Sequence, residues 1–321
     1  MKVSVILTVI NEEQAIGRLM ESLGQQSRAP DEIVICDGGS IDGTAKIIEA
    51  YQDELPLLFI SFPGSNISQG RNRAIMAAAG PIIASTDAGV RLAPNWLEDL
   101  VRPIEEKAVP VTSGWFEPDP KTEFETAMSA TVLPALEDID GRTFLPSSRS
   151  AAYLKSSWQA AGGYPEWLDY GEDLVFDLAL RERFGPFTFV PTAVVYFRPR
   201  GDLSSYARQY YLYARGDGKA NLWPKRHAVR YATYLVGLPL MIWSMWQGRW
   251  YGFIVLIGGG VIYSRRPAQR LSGLTRTWQP VNRAKAFMLI PIIRLVGDVA
   301  KMIGYPIGLI WRWRNRSPFR Q

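Results

Sequence analysis

Val3-Ser4-Val5-Ile6-Leu7-Thr8-Val9-Ile10 runs directly into Asn11-Glu12-Glu13. A short apolar run rich in β-branched residues and closed by a polar turn reads as a buried strand. Downstream, Glu12 to Gln25 places Ile16, Leu19, Met20 and Leu23 at helical spacing. Glu32 to Cys36 is a second strand-like run, and Thr44 to Tyr51 a second helical stretch. Leu57 to Ser61, Ser68 to Ala79 and Ile82 to Thr86 continue as strand, helix and strand. Pro94 to Glu106 follows as a helix with proline in its first turn. Strands alternating with helices at this spacing predict βαβ units, hence an α/β fold with a mostly parallel sheet flanked by helices.

In such sheets ligands bind beyond the carboxyl ends of the strands. That singles out Asn11-Glu12-Glu13, the loop Asp37 to Thr44, and Asp87-Ala88-Gly89. The Asp37 loop is glycine-rich and opens a helix, so its backbone N–H groups are placed to meet a ligand. Its carboxylate is placed to accept from a base N–H or a ribose hydroxyl. Arg71 and Arg73, between the third and fourth strands, carry guanidinium forks suited to a pyrophosphate. Taken singly, each loop reads equally well as ordinary turn chemistry. Neither GxGxxG after the first strand nor GxxxxGK[ST] occurs, which excludes a dinucleotide fingerprint and a P-loop.

Composition narrows the partners. Cys36 and His227 are the single cysteine and histidine of the 321 residues. No disulfide can form within the chain, as in a reducing compartment, and zinc sites of Cys/His type are excluded. Any metal must therefore be held by oxygen. The first apolar run meets Asn11-Glu12-Glu13 too early for a signal peptide, so the N-terminal domain is expected to stay where it is made, in the cytoplasm. Charge is divided unevenly. From Lys225 onward there are 16 Lys and Arg and one acid, Asp298, out of 36 and 31 in the whole chain. That leaves 20 basic and 30 acidic residues upstream, so the two parts carry +15 and −10. Seven of the eleven tryptophans lie at or after Trp223, many of them beside arginines at the ends of apolar runs. That pattern suits a bilayer interface and not a nucleic acid.

Taken in order, Val3 to Glu13, Asp37 to Thr44, Gly70-Arg71-Asn72, Thr86-Asp87-Ala88-Gly89, Gly162-Gly163-Tyr164-Pro165-Glu166 and Gly171-Glu172-Asp173 resemble the family 2 glycosyltransferases of GT-A fold. The resemblance covers roughly residues 1–220. It implies a GT-A Rossmann-like domain over 1–222, with a nucleotide-sugar half (1–110) and an acceptor half (111–222). It further implies that Glu12 and Asp37 contact the nucleoside, Arg71 the diphosphate or base, and Asp87 the ribose and metal region. Thr8, Asn11, Gly39 and Asn72 line the same nucleotide-sugar site, and Tyr164, Trp167 and Arg149 lie on the acceptor side. Asp173 of the Glu172-Asp173 pair is then the catalytic base. Inverting sugar transfer needs a carboxylate to take the proton of the attacking hydroxyl. Acids in a first helical turn are equally ordinary caps, and the upstream motifs favour the base. Gly162 to Trp167 reads either as a turn presenting aromatic faces to sugar or as a packed turn.

The resemblance implies a divalent cation, Mg²⁺ or Mn²⁺, but most relatives carry Asp-x-Asp where this chain has Asp87-Ala88-Gly89. Gly89 has no ligand atom, which leaves Asp87 as the one candidate metal ligand and makes metal dependence weak or dispensable. The alternative is a catalytically inactive, membrane-tethered subunit that binds nucleotide sugars. Arg208-Gln209-Tyr210-Tyr211 differs from the Gln-x-x-Arg-Trp signature of processive synthases, which favours a single addition. The implied acceptor is lipid-linked or another membrane-held glycan in envelope or exopolysaccharide assembly.

Residues 223–321 are expected to form membrane-associated helices. Tyr231 to Gly248 and Trp250 to Tyr263 are uncharged, with Arg249 between them, and predict a transmembrane or re-entrant hairpin over 231–263. Over 286–311, Arg294, Asp298 and Lys301 share one helical stripe. This predicts an amphipathic interfacial helix or a third span. Membrane lipids are thus expected partners, at the inner membrane with the catalytic domain facing the cytoplasm.

Overall fold

The computed structural model describes residues 1–107 and 109–315. They divide into two compact units: Met1–Asp119 with Leu136–Arg198, and Pro120–Ala135 with Pro199 onward.

The first unit is built on an eight-stranded sheet. Its elements are β1 (Val3–Val9), α1 (Ile16–Gly24), β2 (Glu32–Asp37), α2 (Thr44–Glu49), β3 (Leu57–Ser61), α3 (Ile67–Ala77), β4 (Ile82–Ser85), β5 (Val90–Leu92) and α4 (Trp96–Lys107). The second unit contributes α5 (Glu123–Val132), and the first continues with β6 (Val111–Pro118), β7 (Ala151–Leu154), α6 (Lys155–Ala160), α7 (Glu172–Phe184) and β8 (Thr188–Phe197). The strand order is β3-β2-β1-β4-β7-β6-β8-β5. β1, β2, β3 and β4 run parallel, as their continuous apolar runs predict. β7 is antiparallel to β4 and β6, and β5 to β8. β6 and β8 have no clean sequence signature, because Thr112-Ser113-Gly114 and Pro191-Thr192 interrupt their apolar pattern, and β7 is only four residues long.

β1 is flanked on both edges and covered on both faces, so every residue of it except Thr8 is buried. Its one buried polar side chain, Ser4, is satisfied: Ser4 Oγ donates to Glu32 Oε2 at 2.6 Å and accepts from the Gly80 N–H at 2.9 Å. α1 turns Ile16, Leu19, Met20 and Leu23 into one core. α3 starts with a capping box, in which Asn66 accepts from the Gln69 N–H and Gln69 from the Asn66 N–H. The chain lays down β1, β2 and β3 to one side and then crosses back to place β4 on the other side of β1. Such a switch point opens a crevice at the carboxyl ends of β1 and β4.

The second unit holds α5 and the helices α8 (Leu203–Ala220), α9 (Pro224–Tyr231), α10 (Leu238–Trp246), α11 (Tyr251–Leu274) and α12 (Pro280–Arg314), with a π-helical turn over Ala232–Gly237. Met128, Tyr206, Leu271, Ile290 and Ile293 form its core. α8 and α12 pack backbone to backbone: a Cβ on Gly304 would lie 2.2 Å from the Tyr211 carbonyl, and one on Gly308 2.1 Å from that of Arg215.

The expected transmembrane helices are not there: among the described residues no helix is long and apolar enough to cross a membrane. In the 231–248 run the helix passes through a π-helical segment, Ala232–Gly237, into the nine-residue α10 and ends at Trp246. α11 carries Arg265, Arg266 and Arg270 in its second half. The polar stripe of α12 is turned toward protein. Asp298 is buried and accepts from Arg230 Nε at 2.8 Å, Tyr234 Oη at 3.1 Å and Tyr263 Oη, while the Arg294 guanidinium lies 3.7 Å from the Tyr263 ring centroid. Met288, Ile292, Leu295, Val299, Ile303 and Ile310 are among the exposed residues of that helix. Pairing inside the unit satisfies the charges, so the apolar face is the one left outside.

Candidate functional site

All residues of this site belong to the first unit. The loops after β1 and β2 are stitched together. The Asn11 N–H donates to Ser40 Oγ at 2.9 Å, Asn11 Oδ1 accepts from the Ile41 N–H at 2.9 Å, and the Glu12 N–H donates to Thr44 Oγ1 at 2.8 Å. Asp37 is only 4% exposed. It accepts from Ser40 Oγ at 2.7 Å and from the N–H groups of Ser40 and Gly39 at 3.0 and 3.3 Å. Gly39 has φ +104°, a conformation that side chains rarely adopt, and it allows the loop to fold back over the carboxylate. Thr8 lies under α3, where a Cβ on Gly70 would come within 2.8 Å of its methyl.

Arg71 is the centre of the site. It projects from α3, is 2% exposed, and forks between two carboxylates: Nη1 to Glu172 Oε1 at 2.6 Å and Nη2 to Asp87 Oδ1 at 2.8 Å. The Tyr164 ring lies 5.3 Å from its carbon. Burial pulls the Arg71 pKa down, but Asp87 and then Glu172 outweigh it, so the guanidinium stays charged. Both terminal nitrogens hold acids, so Arg71 braces the floor of the site.

Asn72 has a similar part. Its amide donates to the Tyr164 carbonyl and Glu166 Oε1 at 2.9 and 3.0 Å, and its oxygen accepts from the Tyr164 N–H and Trp158 Nε1. It thereby pins the Gly162–Glu166 turn to α3. Tyr164 is 2% exposed and its ring packs 4.2 Å from that of Phe176. Its hydroxyl meets those of Ser148 and Tyr153 at 3.0 and 3.3 Å. The turn is therefore a packed one at Tyr164, and Trp167 is half-buried beside it.

Asp87 follows β4 and is partly exposed. Its Oδ1 faces Arg71, and its Oδ2 lies 3.4 Å from Nε of Arg149, whose guanidinium sits 4.7 Å from the centroid of Phe197. The acids that begin α7 arrive from the other side. Gly171, at φ +78°, turns the chain into that helix. Glu172 is buried and points at Arg71, while Asp173 is half-buried and accepts from the Leu174 N–H at 2.8 Å. Burial first, and Asp173 beside it, push the Glu172 carboxyl up to about 7 against the pull of Arg71.

Asp177 had no place in the sequence expectations. It lies one helical turn below Asp173, is buried, and its Oδ2 has no hydrogen-bond partner. Burial, then Asp173, raises its pKa well above the usual carboxylate range. The signal available in the sequence was the i, i+4 spacing of the two acids on one helix face. A carboxyl whose pKa is raised by folding contributes stability that is full at low pH and lost as pH rises through the folded value. Asp177→Asn, which cannot titrate, is therefore expected to melt at higher temperature than the native chain at pH 8, with the gap closing toward pH 4. Melting curves across that range test this, and a native chain more stable than the variant at pH 8 would contradict the raised pKa.

A divalent cation fits these residues poorly. Both Asp87 oxygens face guanidinium groups, Gly89 offers no ligand, and the described residues contain no group of three or more His, Cys, Asp or Glu able to hold a metal.

Comparison with known proteins agrees with the architecture. Over 231 residues the chain is 27% identical to the succinoglycan biosynthesis protein ExoA of Rhizobium meliloti, covering 67% of this chain and 68% of that protein. It is 30% identical over 118 residues to the uncharacterized glycosyltransferase YfnE of Bacillus subtilis, covering 36% of this chain and 30% of that one. The chain thus spans about a third or less of the length of several curated relatives it matches. Among solved structures, the mannosyltransferase PcManGT from Pyrobaculum calidifontis, in complex with GDP-Man and Mn²⁺, aligns with a TM-score of 0.55 at 17% identity, covering 98% of this chain and 88% of that one. That likeness shows a shared GT-A-like α/β fold with a mixed sheet flanked by helices. Residues 4–151 match the model of glycosyl transferase family 2.

Proposed function

We propose that the protein transfers a sugar, with inversion, from a nucleoside diphosphate sugar to a hydroxyl of a membrane-held saccharide acceptor in envelope or exopolysaccharide assembly. The observation that carries this is the convergence of Asp87 and Glu172 on the Arg71 guanidinium, with Asp173 next in the chain to Glu172, at the switch point of the sheet. In this reading Asp37 and the stitched loop 37–44 frame the nucleoside, and Asp87 faces the ribose and diphosphate. Asp173, beside Glu172 at the first turn of α7, takes the acceptor proton. The acceptor oxygen forms its bond to the anomeric carbon as the bond to the diphosphate breaks, and the diphosphate leaves with the electron pair. Arg71 keeps Glu172 and Asp87 in place without reaching the donor itself.

The nature of the acceptor is supported by the similarity to ExoA, a protein of succinoglycan biosynthesis, and by the second unit. There Leu240, Trp243, Trp246, Trp250, Phe253 and Ile257 are exposed, on the segment that carries 16 basic residues and one acid. Apolar side chains flanked by tryptophan and arginine fit the headgroup region of an anionic bilayer, with the helices lying in it and not across it.

A panel of nucleotide sugars tests the donor. The correct one is expected to stabilise the chain by about 2.7 kcal/mol at roughly a hundredfold excess over Kd, or about 5–10 °C in Tm. If no nucleotide sugar or nucleoside diphosphate shifts the melt, the proposal fails. Vesicle flotation tests the surface: binding to phosphatidylglycerol vesicles that weakens with salt is expected, and equal recovery with and without vesicles would remove the lipid partner.

A further inference from the structure

We propose that Arg149 supplies the positive charge that meets the donor diphosphate, in the role a divalent cation would otherwise fill beside Asp87. The proposal rests on the nucleotide-sugar reading above and deepens it.

The two guanidiniums at Asp87 differ in what they can do. Arg71 is buried and forked between Glu172 and Asp87. The Asp87 and Arg149 side chains are instead 30% and 24% exposed, so this ion pair borders solvent where a ligand arrives. Arg149 reaches it from the segment before β7, and the ring of Phe197, at the end of β8, supports the guanidinium at 4.7 Å. Such stacking orients the planar group and limits the entropy lost when it binds. A guanidinium presents several N–H donors in one plane and matches phosphate oxygens two at a time.

Charge and space agree with this assignment. Two carboxylates around one dication carry the same net charge as one carboxylate beside one guanidinium. Gly89 brings no carboxylate, and Arg149 brings one positive charge where a dication would bring two. A cation at Asp87 would also lie next to two guanidiniums, each already within ionic distance of a carboxylate oxygen. Position 89 itself is open: a Cβ built on Gly89 meets nothing within 4 Å. A carboxylate there is sterically allowed.

The test is equilibrium binding of UDP and GDP to the full chain, in excess EDTA and in Mn²⁺. The native protein is expected to bind one of them with Kd values agreeing within about threefold in the two conditions. Arg149→Gln is expected to weaken binding in EDTA by about tenfold or more, with an unchanged melting profile showing that the fold is kept. Gly89→Asp combined with Arg149→Gln is expected to recover binding in Mn²⁺ alone. Native binding that requires Mn²⁺, or unchanged affinity in Arg149→Gln, overturns the assignment while leaving the nucleotide-sugar reading standing. Absence of binding by either nucleotide in both conditions overturns the two together.

Discussion

Asp173→Asn is expected to lower sugar transfer by about two to four orders of magnitude while leaving nucleotide binding within about threefold of native. The substitution keeps size and shape and removes the capacity to accept a proton. Asp173 contacts the Leu174 N–H and is half-buried at the start of α7, so its loss leaves no buried charge unpaired. The effect should therefore fall on turnover and not on the melting temperature. Transfer from a labelled donor, read beside a binding titration, separates these outcomes. Native turnover in the variant would assign the base elsewhere. A parallel loss of binding would make Asp173 part of the donor site.

Arg71→Met has the opposite signature. Removing the guanidinium leaves the buried Glu172 carboxyl and one Asp87 oxygen without their partner. Breaking a buried pair from one side costs about 3–5 kcal/mol. For a cooperative unit of roughly 150–250 residues that lowers Tm by about 6–20 °C. Arg71→Lys keeps the charge but not the fork, and is expected to recover only part of the loss. Adding Glu172→Gln to Arg71→Met should restore stability, because the two changes act on one contact. The pH dependence has a definite sign. Without Arg71 the Glu172 carboxyl lies still further above its ordinary value, so the deficit against the native chain grows as pH rises and shrinks below that value. An Arg71→Met chain that melts with the native protein would show that Arg71 is not the brace described here.

How much of this was legible before folding follows from the range of each interaction. The strands β1, β2 and β4 and the helices α1, α3 and α4 are visible because the signal that makes them, apolar residues at period two or 3.6, lies within each segment. The loops that converge were legible for the same reason, since a parallel sheet brings the ends of its strands to one edge. Asn72 and Tyr164 were legible as residues but not as roles. Nothing in the sequence says that Asn72 is occupied by the turn at Tyr164 or that the Tyr164 ring packs on Phe176. The stripe of α12 shows the limit from the other side. Its periodicity was correct, yet periodicity does not say which face is turned inward.

By itself the sequence determined the alternation of strands and helices, the order of acids and arginines along the chain, the basic tail, and the absence of a ligand at residue 89. Local propensity and composition suffice for those. Only the tertiary structure decided that Arg71 is buried between Glu172 and Asp87, that Arg149 reaches Asp87 from the far side, and that Asp298 turns inward to Arg230. Arg71 and Glu172 are 101 residues apart. Whether a guanidinium meets a phosphate or a carboxylate depends on which distant side chain the fold places within about 3 Å of it.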